Sequence, residues 1–192
     1  YTRGQWNGFN NEVAYMEIGN EPDSSGFWTG SPLQFYQLYV ETAKALRAEF
    51  PTLKIGGPGI TQGGFSQPIG QQWLNNFLDH VKANGAPLDF LSWHLYSNDP
   101  AQFATAAAYY RQVLDAQGFA SAETHVTEWN ASGSNTSSST NAEYRAKARG
   151  AAVNTATWIH LQEQGVNQAF FYHSSDVAPI DGKLYGLFAI DG

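Results

Sequence analysis

Residues 13–23, VAYMEIGNEPD, decide how the rest of the chain is read. The apolar run ends in Asn20-Glu21-Pro22 and not in a glycine loop, so an amide and a carboxylate stand where a buried strand would leave its sheet. A second run, ETHVTEWN at 123–130, ends in the same way, with Glu128 followed by Trp129 and Asn130. Two strands that each deliver a glutamate at the C-terminal end point to a site.

Helical patterns separate the strands. SPLQFYQLYVETAKALRAEF (31–50) opens with Ser31 as a cap, Pro32 at the first helical position and Gln34 completing a capping box. Its spacing predicts Phe35, Leu38, Thr42 and Ala45 or Leu46 on one face, and Pro51 stops it. LKIGG (53–57) reads as the next strand, followed by a glycine-rich loop and a helix in which Ile69, Trp73, Phe77 and Val81 recur until Gly85. LDFLSWHLY (88–96) is a third strand, and Asp99-Pro100 opens a helix carrying Phe103, Ala107, Tyr110 and Leu114 up to Gly118. After THVTEW (124–129), Thr140 and Glu143 form a further capping box that starts a long helix to about Gln164. QAFFYH (168–173) is the last strand.

Ile18, Ile55, Leu91, Val126 and Phe170 lie 37, 36, 35 and 44 positions apart, a regular beat of strand plus helix. That alternation predicts βαβ units and a parallel sheet. A doubly wound nucleotide fold would carry a glycine loop after its first strand. Here GGPGITQGG follows the second, and its Pro58 removes a backbone donor that a phosphate would need. A tight strand-to-helix turn is the better reading of that loop; a barrel and a doubly wound sheet both fit the alternation, and the expected fold class is α/β, a (β/α)8 TIM barrel represented by about five strands and four helices in a single domain, 1–192.

The chain is long enough for one well-filled core, with 42% hydrophobic residues in 192. Its formal charge of −7 disfavours nucleic acid and anionic membrane as partners. Aromatics at 15% suit large cores and sugar-stacking clefts alike. There is no cysteine, so disulfide and thiolate chemistry are excluded. No apolar run reaches the 18 residues of a membrane span. The sequence starts at Tyr1, which leaves localisation unread and secretion open. Trp73, Phe77 and Trp158 sit at helical spacing and are expected in the core, whereas His80, His125 and His160 belong to no constellation.

Paired carboxylates are suited to cleaving a glycosidic bond, one protonating the leaving oxygen while the other attacks or activates water. The rival use is metal binding, but neither strand end has the two-histidine spacing of a transition-metal site, and no metal or cofactor is expected. EIGNEPD with GFW just after it, LKIGGPG, SWHLY and VTEWN, in this order and spacing, resemble clan A glycoside hydrolases, and most of all glycoside hydrolase family 39, which includes β-xylosidases. The resemblance runs from about residue 13 to 176.

Carried over residue by residue, the resemblance implies Glu21 as general acid/base at the end of barrel strand four and Glu128 as nucleophile at the end of strand seven. Asn20 would hydrogen-bond the sugar 2-hydroxyl, and His94 and Tyr96 on strand six would orient Glu128 and the sugar. Two positions depart from the family pattern: Gly19 stands where a Trp is frequent, and FFYHSSD lacks the Trp that commonly floors the sugar subsite. Tyr172 or His173 would take that place, with Trp28 either a sugar platform or part of the helix packing.

The expected activity is therefore that of a retaining glycoside hydrolase on β-linked oligosaccharide or polysaccharide, with the two carboxyl groups about 5 to 5.5 Å apart. The alternative is a catalytically silent carbohydrate-binding barrel. A closed barrel needs eight strands and about 250 residues. If Glu21 ends strand four, strands one to three are absent, the chain is a C-terminal portion, and on its own it is expected to be weakly active or inactive.

Overall fold

The computed structural model describes residues 13–132, 147–175 and 186–187. Thr140 and Glu143, expected to cap the fourth long helix, lie outside the described residues. Five strands, β1 (Tyr15–Glu17), β2 (Lys54–Ile60), β3 (Phe90–Tyr96), β4 (Glu123–Asn130) and β5 (Gln168–Phe171), form one sheet in the order β1-β2-β3-β4-β5. Every neighbouring pair is parallel. A doubly wound sheet reverses its order at a switch point. This one follows the chain without reversal, which is the winding of a (β/α)8 barrel, here in part.

The helices are α1 (Pro32–Glu49), α2 (Gly63–Ser66), α3 (Pro68–Ala83), α4 (Pro100–Gln117) and α5 (Ala148–Glu163). Local chemistry sets their ends. The Gln34 backbone N–H donates to the Ser31 hydroxyl while the Gln34 side chain accepts from Ser31 N–H at 2.7 Å, so both arms of the capping box form. Asp99 accepts from Ala101 N–H at 3.0 Å to open α4, and Gly118, at φ 87°, closes it in the left-handed region that glycine enters without a Cβ clash. The four-residue α2 was not expected; Gly63–Ser66 carry no hydrophobic period from which to read it.

The helices cover one face of the sheet. Ile55, Leu91, Trp93, Val126 and Trp129 are fully buried there beneath Phe77, Leu78, Phe103, Tyr110 and Leu114. Truncating such a side chain, Phe77→Ala for instance, costs about 3–5 kcal/mol through lost transfer energy and the cavity left behind.

Three expectations about packing need correction. The buried face of α1 is Phe35, Tyr36, Tyr39, Val40 and Ala43, while Leu38 is 46% exposed. The two tyrosines can be buried because their hydroxyls donate to carbonyls, Tyr36 to Trp73 at 3.0 Å and Tyr39 to Pro87 at 3.1 Å. Burial pushes the Tyr36 phenol up to about 12. Ile69, in the first turn of α3, points to solvent, and Trp158 is half exposed, resting edge-on against the buried Trp129 at 6.0 Å between ring centres. Trp73 and Phe77 are core, as their spacing predicts.

The strand expected at 53–57 also runs further, through Pro58 to Ile60. Most of GGPGI is therefore strand and not loop, which carries β2 up to the level at which Glu21 leaves β1.

Candidate active site

The chain leaves β1 with Ile18 N–H donating to Gly56 O at 2.8 Å, and then turns sharply at Gly19, φ 107°. A Cβ on Gly19 would lie 2.7 Å from Phe35 Cζ, so neither the backbone angle nor the space admits a side chain. Glu21 follows with φ 48°, held by its N–H to Gly59 O at 2.8 Å. Asp23 ties the same turn to the end of β2, its carboxylate accepting from the Thr61 N–H at 3.0 Å and from the Thr61 hydroxyl. The turn that carries Glu21 is thus stapled at two points to β2.

On β4, continuous alternation along ETHVTEWN would put Glu128 on the same face as Val126, under the helices. A bulge prevents this. Trp93 pairs with Val126 but the next residue, His94, pairs with Glu128, leaving Thr127 as the extra residue. The bulge lets Thr127 and Glu128 both face away from the helices while Val126 and Trp129 both pack beneath them.

His94 joins the two strand ends. Its Nδ1 lies 3.0 Å from Glu21 Oε1 and 3.9 Å from Glu128 Oε2, and its side chain is 3% exposed. Donor atoms of Glu21, His94 and Glu128 all lie within 4.8 Å of one another. The Tyr96 hydroxyl donates to Glu128 Oε1. Among the described residues neither glutamate has a lysine or arginine partner, so two carboxyl groups face each other with no fixed cation between them.

Of the residues proposed from sequence, Glu21, His94, Tyr96 and Glu128 come together. Tyr172 stands at their edge, its ring 6.4 Å from that of Tyr96 and its N–H donating to Trp129 O at 3.0 Å, with the His173 ring beside it at 4.8 Å. Asn20 is exposed next to Glu21. Trp28 is engaged in packing: its ring meets Phe35 edge-on at 5.6 Å and its Nε1–H donates to Ser31 O at 3.0 Å.

Sequence reading missed Asp23, whose capping partner lies 38 residues away, and Asn130, whose buried amide donates to Tyr172 O and so fastens the end of β5 to β4. It also missed Ser92, whose hydroxyl accepts from Gly59 N–H at 2.8 Å. Asp23 and Asn130 both sit inside the quoted motifs, and that was the only available signal.

Lower on the same face, a second group is built on opposite principles. Glu123, at the start of β4, bonds to Lys54 and to His125, whose Nε2 is 2.8 Å from Glu123 Oε2. His125 stacks on Phe90 at 4.3 Å. Burial would raise the Glu123 carboxyl, but the hydrogen bonds from Lys54 and His125 outweigh it and hold the group below its usual range. Burial keeps the His125 imidazole below its ordinary value, against the upward pull of Glu123. Of this group His125 lines a hollow of about 360 Å³, together with Tyr15, Glu17, Phe90, Thr127, Gln168 and Phe170.

Glu21, His94 and Glu128 are close enough to ligate one cation. However, His94 and Tyr96 already engage the carboxylates through hydrogen bonds, which is the arrangement of groups held for proton and bond chemistry as much as of ligands.

A sheet wound in sequence order, with its acidic and aromatic groups gathered beyond the C-terminal ends of the strands, defines an α/β barrel whose chemistry sits at that face. The chain matches the model of glycosyl hydrolases family 39 over residues 8–177 and belongs to that family. It is 31% identical over 99 residues to a β-xylosidase of Geobacillus stearothermophilus, covering 51% of this chain and 18% of that protein. Among solved structures it resembles a glucosidase from Croceicoccus marinus, with a TM-score of 0.74, 35% identity and coverage of 88% of this chain and 34% of that one. A monomeric β-xylosidase from Caulobacter crescentus shares the fold, with a TM-score of 0.70, 24% identity and coverage of 92% and 38%. The chain therefore spans less than a fifth of the length of the Geobacillus relative and little more than a third of the solved chains. Among the described residues no helix is long and apolar enough to cross a membrane.

Proposed function

We propose that the protein is a retaining glycoside hydrolase acting on β-linked sugars, and that these residues form the C-terminal portion of its barrel, equivalent to strands four to eight. The observation that carries the reading is the pair Glu21 and Glu128, on different strand ends, with carboxylate oxygens within 4.8 Å of each other. Retaining enzymes hold their carboxyl groups about 5–5.5 Å apart, and inverting ones about 6.5–9.5 Å to admit a water. Membership of family 39 and the β-xylosidase and glucosidase relatives support the same substrate class.

In the proposed reaction the Glu128 carboxylate attacks the anomeric carbon. The bond from that carbon to the glycosidic oxygen breaks, and the proton of Glu21 passes to the departing oxygen. A glycosyl ester on Glu128 results. Glu21, now ionised, takes a proton from water as the water oxygen attacks the same carbon, and cleavage of the ester bond restores Glu128. Tyr96 holds Oε1 of the nucleophile, which leaves Oε2 for bond formation. His94 steadies Glu21 as it changes charge, and Asn20 is placed to reach a sugar hydroxyl. Tyr172 and His173 border the subsite.

The test is mass-spectrometric labelling of the intact protein by 2-fluoro β-glycosides in xylosyl, glucosyl and arabinosyl forms. A covalent adduct on the peptide containing Glu128 is expected with at least one of them. Steady turnover of the parent sugars with no adduct under any condition would overturn the double displacement.

A further inference from the structure

On the face away from the helices, just below Glu21 and Glu128, each of the first four strands contributes one residue to a common layer. Glu17 comes from β1, Gly59 from β2, His94 from β3 and Thr127 from β4. The Thr127 hydroxyl donates to Glu17 Oε1 at 2.8 Å. The glutamate reaches it by lying across Gly59, where a Cβ would sit 3.3 Å from Glu17 Oε1 and 3.2 Å from His94 Nε2, closer than ordinary packing allows.

Strands β1 and β4 are not neighbours. A flat sheet would hold them roughly 14 Å apart, with β2 and β3 between. A side-chain hydrogen bond from one to the other is possible only because the sheet curls. The approach continues down the face, where the Tyr15 ring meets the His125 ring edge-on at 5.2 Å.

Both ends of the bond adjoin the proposed chemistry. Thr127 is the extra residue of the β4 bulge and directly precedes Glu128, so anchoring its side chain anchors the bulge that turns Glu128 out from under the helices. Glu17 lies on the strand that delivers Glu21. The bond is a strut between the two strand ends. Glu17 is exposed and Thr127 half-buried, so the strut adds little to folding. Its effect is on geometry. Retention needs about 5–5.5 Å between the carboxyl groups, and a spread of about 1 Å already leaves that range.

We propose that Glu17 and Thr127 are positioning residues, and that their hydrogen bond across the sheet sets the separation of Glu21 and Glu128. The kinetic consequence rests on the hydrolase reading. Its test breaks the bond from each side in the intact protein. Thr127→Val keeps the shape of the side chain and deletes the donor, while Glu17→Ala deletes the acceptor and, being a change at an exposed side chain, serves should Thr127→Val fold poorly. Thr127→Ser and Glu17→Gln keep a hydroxyl and an acceptor oxygen. On an aryl β-glycoside, kcat is expected to fall between about tenfold and about 10²-fold in Thr127→Val and in Glu17→Ala, the scale of a misplacement of about 1 Å, with KM and melting temperature close to native. Thr127→Ser and Glu17→Gln should stay within about threefold of native kcat, and the double variant Glu17→Ala/Thr127→Val should be no slower than the worse single one, since both changes break one bond. Losses that add in the double variant, or conservative variants as slow as the disruptive ones, overturn the proposal.

Crystal structures of the native and Thr127→Val proteins separate the strut from the hydrolase reading. A wider separation of Glu21 and Glu128 in the variant supports the strut even if the native protein shows no turnover, an outcome that would count against the hydrolase alone. Native turnover, with kcat and the carboxyl separation unchanged in Thr127→Val and in Glu17→Ala, removes the strut and leaves the hydrolase standing.

Discussion

Strand β4 carries a glutamate near each end, and the two are treated in opposite ways. Glu123 faces a lysine and a histidine and is held ionised by them. Glu128, five residues on, faces a second carboxyl group, a buried histidine and a tyrosine, with no cation in contact among the described residues. The first is compensated and contributes to the fold. The second is held by a tyrosine hydroxyl and a buried histidine in place of a lysine or arginine, the setting expected of a group kept for chemistry under the reading proposed above.

The contrast can be broken most severely at the upper end. Glu128→Gln is expected to lower kcat on the order of 10⁴-fold, the scale seen when a residue central to catalysis is removed. Its melting temperature should stay close to that of the native protein, because the amide keeps the side chain's size and can still accept from the Tyr96 hydroxyl. Steady-state kinetics and a thermal melt read both. A variant that loses stability together with activity would place Glu128 in the same category as Glu123.

At the lower end, Glu123→Gln is expected to keep kcat within about a factor of ten while the melting temperature falls by a few degrees, roughly the effect of losing one modest interaction in a chain of this size. A collapse of kcat with no change in melting would erase the distinction between the two glutamates.

The smallest effect is on acid stability. The folded values of His125 and Glu123 both lie below their ordinary ones, near 6.5 and 4.5. In each case the unfolded chain binds protons first as pH falls, so stability is complete above the ordinary value and declines through the lowered one. Melting temperature should therefore begin to drop below about pH 6.5 and drop further below the usual carboxylate range. Glu123→Gln should remove the more acidic part of that decline. Melting curves between neutral pH and the acid limit check the sign, and a rise on acidification would contradict it.

Much of this was legible in the sequence where local rules and topology agree. Ser31 with Gln34, and Asp99 with Gly118, mark helix ends by chemistry that acts within a few residues, and the strand-and-helix beat sets the winding. Glu21 and Glu128 stood out because each follows a strand. What the sequence concealed depends on partners distant along the chain. The bulge at Thr127 is an outcome of pairing with β3, and alternation alone would have turned Glu128 towards the helices. Leu38 lost its place in the core to Tyr36 and Tyr39 because two distant carbonyls accept their hydroxyls. Pro58 looked like a loop residue, yet β2 continues through it, and that extension anchors the turn bearing Glu21.

Glu21 and Glu128 also bear on what kind of small molecule should lodge there most firmly. A sugar-shaped compound with a protonated nitrogen in or beside its ring would set a positive charge beside the Glu128 carboxylate, where the proposed reaction develops positive charge on the sugar before the glycosyl ester forms. If the protein is the hydrolase proposed above, its tight-binding inhibitors should therefore be sought among basic sugar mimics rather than neutral ones.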